Sequence, residues 1–301
     1  MNLSLDSSRF YHLVESYHGH DVADLELVYQ SIGPQASSVI FLAGDSSLDN
    51  KFWIRGDGRR KPAFGPYKEI LTPPVMVADI SYHLNVLGEQ HRIVTINAAV
   101  EESTLRSRRK QLNQQDRFIQ DNLRREDILV VSVGGNDVAL SSTLATKYNM
   151  SLLIHFNSAE DLLNEPEHCW GMKHFVRMFK DDLQNYIERL TSKTRPREIL
   201  VCMIYFPAEE QQGGWVDPVL SYLSYNTKPV KLQSAIRALF KIAVSQIKIE
   251  GSHIIPVPLF EALDGKTASD YIDRVEPSAS GGLKIARLLF QLASLGINAS
   301  S

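Results

Sequence analysis

The chain has 301 residues, 44% of them hydrophobic and 22% charged, which suits one large α/β domain or two small ones. Its net charge of −3 gives no basis for binding nucleic acid or an anionic membrane, and no apolar run approaches the length of a membrane span. Residues 1–11 are polar and lack the apolar core of a secretory leader, and Cys169 and Cys202 lie far apart in sequence, so free thiols and a reducing, cytoplasmic setting are expected.

Taken in chain order, the first strand is expected at 38–43 (SVIFLA). A polar segment rich in Gly, Pro and Arg follows at 49–74, then an amphipathic helix at 75–87. A second strand is read at 92–97, a charged helix at 109–123 and a third strand at 128–133. After a long mixed segment at 139–171, residues 174–190 carry Phe175, Phe179, Leu183, Ile187 and Leu190 at helical spacing. The fourth strand is expected at 198–205, a further loop at 207–229, a helix at 231–248, the fifth strand at 253–257 and a closing helix at 283–295. Near-continuous apolar strands alternating with amphipathic helices predict a flavodoxin-like three-layer α/β/α sandwich, with a five-stranded parallel sheet in the order 2-1-3-4-5. No internal repeat or low-complexity linker interrupts it, so one domain over residues 1–301 is expected, with its core at about 38–295. The three long segments all follow strand C-termini, the edge where open parallel sheets bind ligands; they can serve as lids or as plain solvated loops. The 207–229 segment, with Trp215, Tyr222 and Tyr225, is the one expected to cover a site.

Three motifs bear chemistry. Gly44-Asp45-Ser46-Ser47 ends the first strand, where a hydroxyl can be presented at the sheet edge beside helix N-terminal amides. On its own it reads equally as a helix cap. Gly134-Gly135-Asn136-Asp137 ends the third strand, and Asn136 can donate to an oxyanion there, or simply cap a glycine turn. Late in the chain, Asp273 and Glu276 precede Pro277-Ser278 and Gly281-Gly282; taken alone they are acids at the start of a helix.

Together, in this order and strand context, the motifs resemble the SGNH (GDSL-type) hydrolases. The resemblance spans most of the chain and implies Ser46 as nucleophile, its backbone N–H and Asn136 as oxyanion donors, Asp273 as the triad acid and Gly135, Asp45 and Trp215 as neighbours of the site. The chain departs from the pattern twice. Glu102 stands where an oxyanion glycine is usual, in Asn97-Ala98-Ala99-Val100-Glu101-Glu102, and Glu276 stands where the base histidine is usual. The Glu276-Pro277-Ser278 form looks like a eukaryotic subset of the family.

A glutamate has an ordinary pKa of about 4.3 and is a weak base at neutral pH unless burial or neighbouring carboxylates raise it. Asp273 cannot orient another carboxylate as it would an imidazolium. His83 and His155 are the histidines whose regions could reach the sheet edge; an isolated histidine is more often a packed or surface residue. His168, Cys169 and His174 lack the second ligand pair of a zinc site, and neither a metal nor a cofactor is expected. Two functions compete: a serine esterase acting on a small acyl ester with Glu276 as an atypical base, and a catalytically silent relative that binds a small polar ligand or a protein partner. A flavodoxin-like nucleotide binder is disfavoured because no glycine-rich phosphate loop is present.

Overall fold

The computed structural model describes residues 4–11, 19–56 and 59–298. Residues 1–3 of the polar N-terminal stretch and residues 57–58 of the first long insertion lie outside the described residues.

The five expected strands are β1 (Ser38–Gly44), β2 (Ile93–Asn97), β3 (Ile128–Ser132), β4 (Glu198–Met203) and β5 (His253–Pro258). All neighbours run parallel, in the order β2-β1-β3-β4-β5, which is the expected 2-1-3-4-5 arrangement. β5 is an outer strand, pairing with β4 from Glu198↔His253 to Met203↔Pro258.

Successive strand residues face opposite sides, and both sides are buried. Val39, Phe41, Leu129, Val131, Ile199 and Val201 belong to one core. The helices packed there are α1 (Val22–Ile32), α3 (Gln114–Asn122), α5 (Leu183–Leu190) and α7 (Pro229–Ile242), together with the turn of helix before α5. Ile40, Leu42, Val130, Leu200 and Val257 belong to the other core, covered by α2 (Ile80–Gly88) and α8 (Ala279–Asn298). The three layers follow from this alternation. α4 (Leu144–His155) and α6 (Asp217–Tyr222) lie in the two later insertions, at the C-terminal edge of the sheet.

Several helices differ from their sequence outlines for local reasons. Residues 75–77 form a short strand against 60–62, and α2 begins only after Asp79, whose carboxylate accepts from Tyr82 N–H at 2.7 Å. α3 begins after Asn113, which forms a capping box with Asp116. Where one helix was expected at 174–190, a π-helical turn at Arg177–Asp182 separates two α segments. α7 stops at Ile242, short of the expected 248. Among the described residues no helix is long and apolar enough to cross a membrane. Cys169 and Cys202 are free and buried.

Candidate active site

The site is built where β1 and β3 end side by side. At Gly44 the two strands approach so closely that a Cβ would sit 1.8 Å from the Ser132 carbonyl oxygen. Asp45 N–H donates to that same oxygen at 3.1 Å, which turns the chain off the sheet. Gly44→Ala is therefore expected to destabilise the protein by about 3 kcal/mol or more, read as a fall in Tm or loss of soluble protein. An unchanged Tm would show that the strands can part at no cost.

Past this turn the serines take different partners. Ser47 Oγ donates to Asp45 Oδ1 at 2.7 Å and lies 2.6 Å from Ser132 Oγ, and its N–H also reaches Asp45. Ser47 is thus committed to a buried structural network. Ser46 is 8% exposed and borders an apolar cavity that the Glu276 carboxyl also borders. The structure brings Asp45, Ser46, Gly135, Asn136, Trp215 and Glu276 to one cavity. Asn136 Nδ2 donates to Ser103 O at 3.1 Å, and Asp137 accepts from the Leu105 and Arg106 N–H groups, fixing the β3 turn against the loop after β2.

Glu276 sits on a small hairpin in which Ile272 pairs with Glu276 and Tyr271 with Pro277. Asp273 (φ 48°) and Arg274 (φ 69°) both adopt left-handed backbone, and Val275 N–H returns to Ile272 O at 3.3 Å. A turn of that shape ordinarily favours Asn-Gly. Here contacts hold it instead: Arg274 is fully buried, and its guanidinium donates to Ala208 O, to Asp217 Oδ1 and to Asn226 Oδ1 at 2.8–2.9 Å. From the other side Asn50 donates to Pro277 O at 3.0 Å and accepts from Ile80 N–H at 3.1 Å. The double glycine of the motif lets α8 pack tightly here, since a Cβ on Gly281 would lie 2.1 Å from Asp270 O.

The Glu276 carboxyl is 4% exposed, and its pKa is pushed up to about 8. Burial is the main cause; the neighbouring Ser46 side chain opposes it, and negative charge on Glu101, Asp45 and Asp273 adds to it. One Glu276 oxygen has no hydrogen-bond partner. Asp273 is half-buried and packs against Gly214, while no hydrogen bond joins it to Glu276 among the described residues. Its effect on Glu276 is that of a nearby like charge.

The loop after β2 corrects the reading of Glu102. That residue is exposed, has φ 55° and does not border the cavity. Glu101 turns inward instead, and burial together with the charge of Asp49 raises its pKa to about 7. Beside it lies a feature the sequence reading missed, a fully buried ion pair of Lys51 with Asp49 close to Asp79, whose pKa burial raises to about 7. The 49–74 segment, read as a lid or loop, thus supplies buried polar support and does not border the cavity. His83 is half-buried near Ala279, and His155 is exposed against the Tyr222 ring; neither borders the cavity. His174 contacts Thr146 Oγ1 at 3.1 Å, and no group of His, Cys, Asp and Glu suited to a metal occurs among the described residues.

The 207–229 segment does border the cavity, through Trp215 as expected but not through Tyr222 or Tyr225. Trp215 borders the cavity together with Val216, Val219, Leu220 and Leu223. Tyr222 points outward toward His155, and Tyr225 is buried with its hydroxyl donating to Pro207 O at 2.7 Å. α6 carries the reason: Leu220 is buried, and Tyr222, two positions on, lies about 160° around the short helix from it.

No protein-family model matches the chain, and no curated protein matches it significantly. Solved structures superpose on it at low identity. An extracellular lipase from Streptomyces rimosus superposes with a TM-score of 0.47 and 10% identity, over 86% of this chain and 99% of the lipase. A lipase/acylhydrolase from Enterococcus faecalis gives 0.43 and 12%, over 84% and 94%. An acetylxylan esterase from Geobacillus stearothermophilus gives 0.42 and 14%, over 85% and 94%. A Bacillus subtilis protein aligns at 0.45 and 16% over 86% of this chain, which spans 57% of that protein's length.

Proposed function

We propose that this chain is a single-domain serine hydrolase of the SGNH type that cleaves acyl esters, with Ser46 as nucleophile and Glu276 as general base. The observation that carries this reading is the Ser46 hydroxyl set against a buried, high-pKa Glu276 carboxyl at the polar end of an otherwise apolar cavity. Ionised Glu276 takes the Ser46 proton as Oγ adds to the ester carbonyl. The tetrahedral oxyanion lies toward the Ser46 N–H and Asn136. Neutral Glu276 returns the proton to the alcohol as its C–O bond breaks. Water then repeats the sequence on the acyl-Ser46 ester, releasing a carboxylic acid. A carboxyl with a pKa near 8 is a much stronger base than an ordinary glutamate, so the missing imidazole does not by itself remove the base. Asp273 has no orienting task in this scheme.

Because the base must be ionised, kcat/KM is expected to climb about tenfold per pH unit below pH 8 and to level off above it. A profile already flat at pH 6 would exclude Glu276 as the base. The direct test is labelling by a fluorophosphonate probe at pH 8.5: the parent protein is expected to label and Ser46→Ala to remain unlabelled. Equal labelling of both, or none with no ester turnover across the pH range, would sink the hydrolase reading.

A second reading, a silent relative that binds a small ligand, is favoured by two observations. Glu276 is largely protonated at neutral pH, and one Asn136 amide proton is already engaged by Ser103 O. Ligand-induced stabilisation that survives Ser46→Ala, in a protein without turnover, would select it.

A further inference from the structure

The cavity has two ends of different character. Asp45, Ser46, Asn136 and Glu276 form one end, and beyond them the wall is apolar, mostly aliphatic with the Trp215 and Tyr205 rings. That wall comes from three separate elements: Val138 and Ala139 after β3, Val219 and Leu223 of the covering segment, and Leu232 and Ile236 of α7. An apolar void in a well-packed interior forfeits contacts and costs stability, so three elements converging to leave one open beside a hydroxyl call for an occupant. We infer that this space is a subsite for an unbranched alkyl chain, the acyl part of the ester that Ser46 attacks. The inference rests on the hydrolase reading for its chemistry and on the cavity for its specificity.

Size and the order of events set the occupant. The free volume is 110 Å³. An aliphatic cavity of about 150 Å³ accommodates the six carbons of benzene, so the smaller space here suits a short chain of about four to six carbons. The acyl group, not the alcohol, stays bonded to Ser46 Oγ between the two half-reactions. It must therefore rest where the wall is closed, whereas the alcohol has to leave toward solvent. A polar acyl group such as a sugar acid would bury hydroxyls against Val219, Leu223 and Leu232 with no partners, a cost of about 1–3 kcal/mol for each.

The experiment compares ethyl acetate, ethyl butanoate, ethyl hexanoate, ethyl dodecanoate and hexyl acetate as substrates for the parent and for Val219→Trp. In parallel, calorimetry measures acetate, hexanoate and dodecanoate binding to Ser46→Ala. For the parent, kcat/KM is expected to rise about fourfold per methylene up to the hexanoyl ester, the value of a buried CH₂. It should fall again for the dodecanoyl ester, and ethyl hexanoate should exceed hexyl acetate. Val219→Trp fills the cavity, so its hexanoyl-to-acetyl ratio should drop at least tenfold. Turnover with no dependence on chain length, a ratio unmoved by Val219→Trp, or a preference for hexyl acetate would overturn the acyl subsite while leaving the hydrolase reading intact. If the protein shows no turnover, hexanoate binding to Ser46→Ala at least tenfold tighter than acetate upholds the subsite and rejects the hydrolase; equal affinities reject both.

Discussion

Glu276→Gln is expected to lower ester turnover by about 10²–10⁴-fold while making the protein more stable. The two effects share one cause. Burial and the charges of Glu101, Asp45 and Asp273 hold the Glu276 pKa near 8, well above its unfolded value of 4.5. A carboxyl raised in this way favours the folded state only while protonated. Its contribution is fully present below the unfolded pKa and is lost as pH rises toward the folded one. Between about pH 4.5 and 8 the native protein therefore pays an increasing penalty that a neutral amide escapes. The Tm difference between Glu276→Gln and the parent should be small at pH 4.5 and widen to the equivalent of a few kcal/mol at pH 8.5. Thermal melts across that range give the answer: a gap that does not grow with pH would mean that Glu276 carries no buried charge. Glu276→His is the companion variant, expected to move the activity profile to lower pH because an imidazole ionises around 6.5.

Arg274→Met should be the most damaging substitution away from the reacting atoms. Arg274 is fully buried, it donates to Asp217, Asn226, Ala208 O and Glu209 O, and its guanidinium lies over the Tyr225 ring. These bonds fasten the covering segment to the hairpin that carries Glu276. Removing a buried charge from its partners costs about 3–5 kcal/mol, a Tm loss of roughly 6–10 °C in a protein of this size. Turnover of hexanoyl esters should fall much further than the melt predicts, because both the cavity wall and the base lose their anchor. Arg274→Gly separates the two roles of this position, since glycine relieves the left-handed backbone but supplies no guanidinium. Equal damage from Met and Gly assigns the effect to the side-chain network. If Arg274→Met melts and turns over like the parent, the anchoring role is wrong.

The sheet was readable from sequence because its strands are continuous β-branched runs buried on both faces, a pattern that solvated segments do not share. Helix starts were less so. Apolar periodicity ran on through 75–79, but the Asp79 cap decided where α2 begins, and residues 75–77 found a strand partner across a loop. α1 was not read at all, although Leu25, Val28 and Ile32 recur on one face. Within the site, the motifs located Ser46, Asn136 and Glu276 because each is tied to a strand end or a glycine turn. The exchange of Glu101 for Glu102 could not be read, since it depends on a left-handed residue that is not glycine. Lys51 was missed for a related reason: in a polar loop nothing local distinguishes a buried lysine from a solvated one, and only the fold buries it with Asp49 and brings Asp79 close.

β5 is the outer strand beyond β4, and its prolines have a consequence for how the protein meets others. Pro256 and Pro258 are two residues apart and so point their nitrogens to the same side. Pairing with β4 continues through both, so that side is the outer one, where each proline lacks the N–H an incoming strand would need. The sheet is blunted against extension along this border. Copies of the chain crowded together are denied this border as a template for stacking into fibres, and replacing both prolines with valine would restore it.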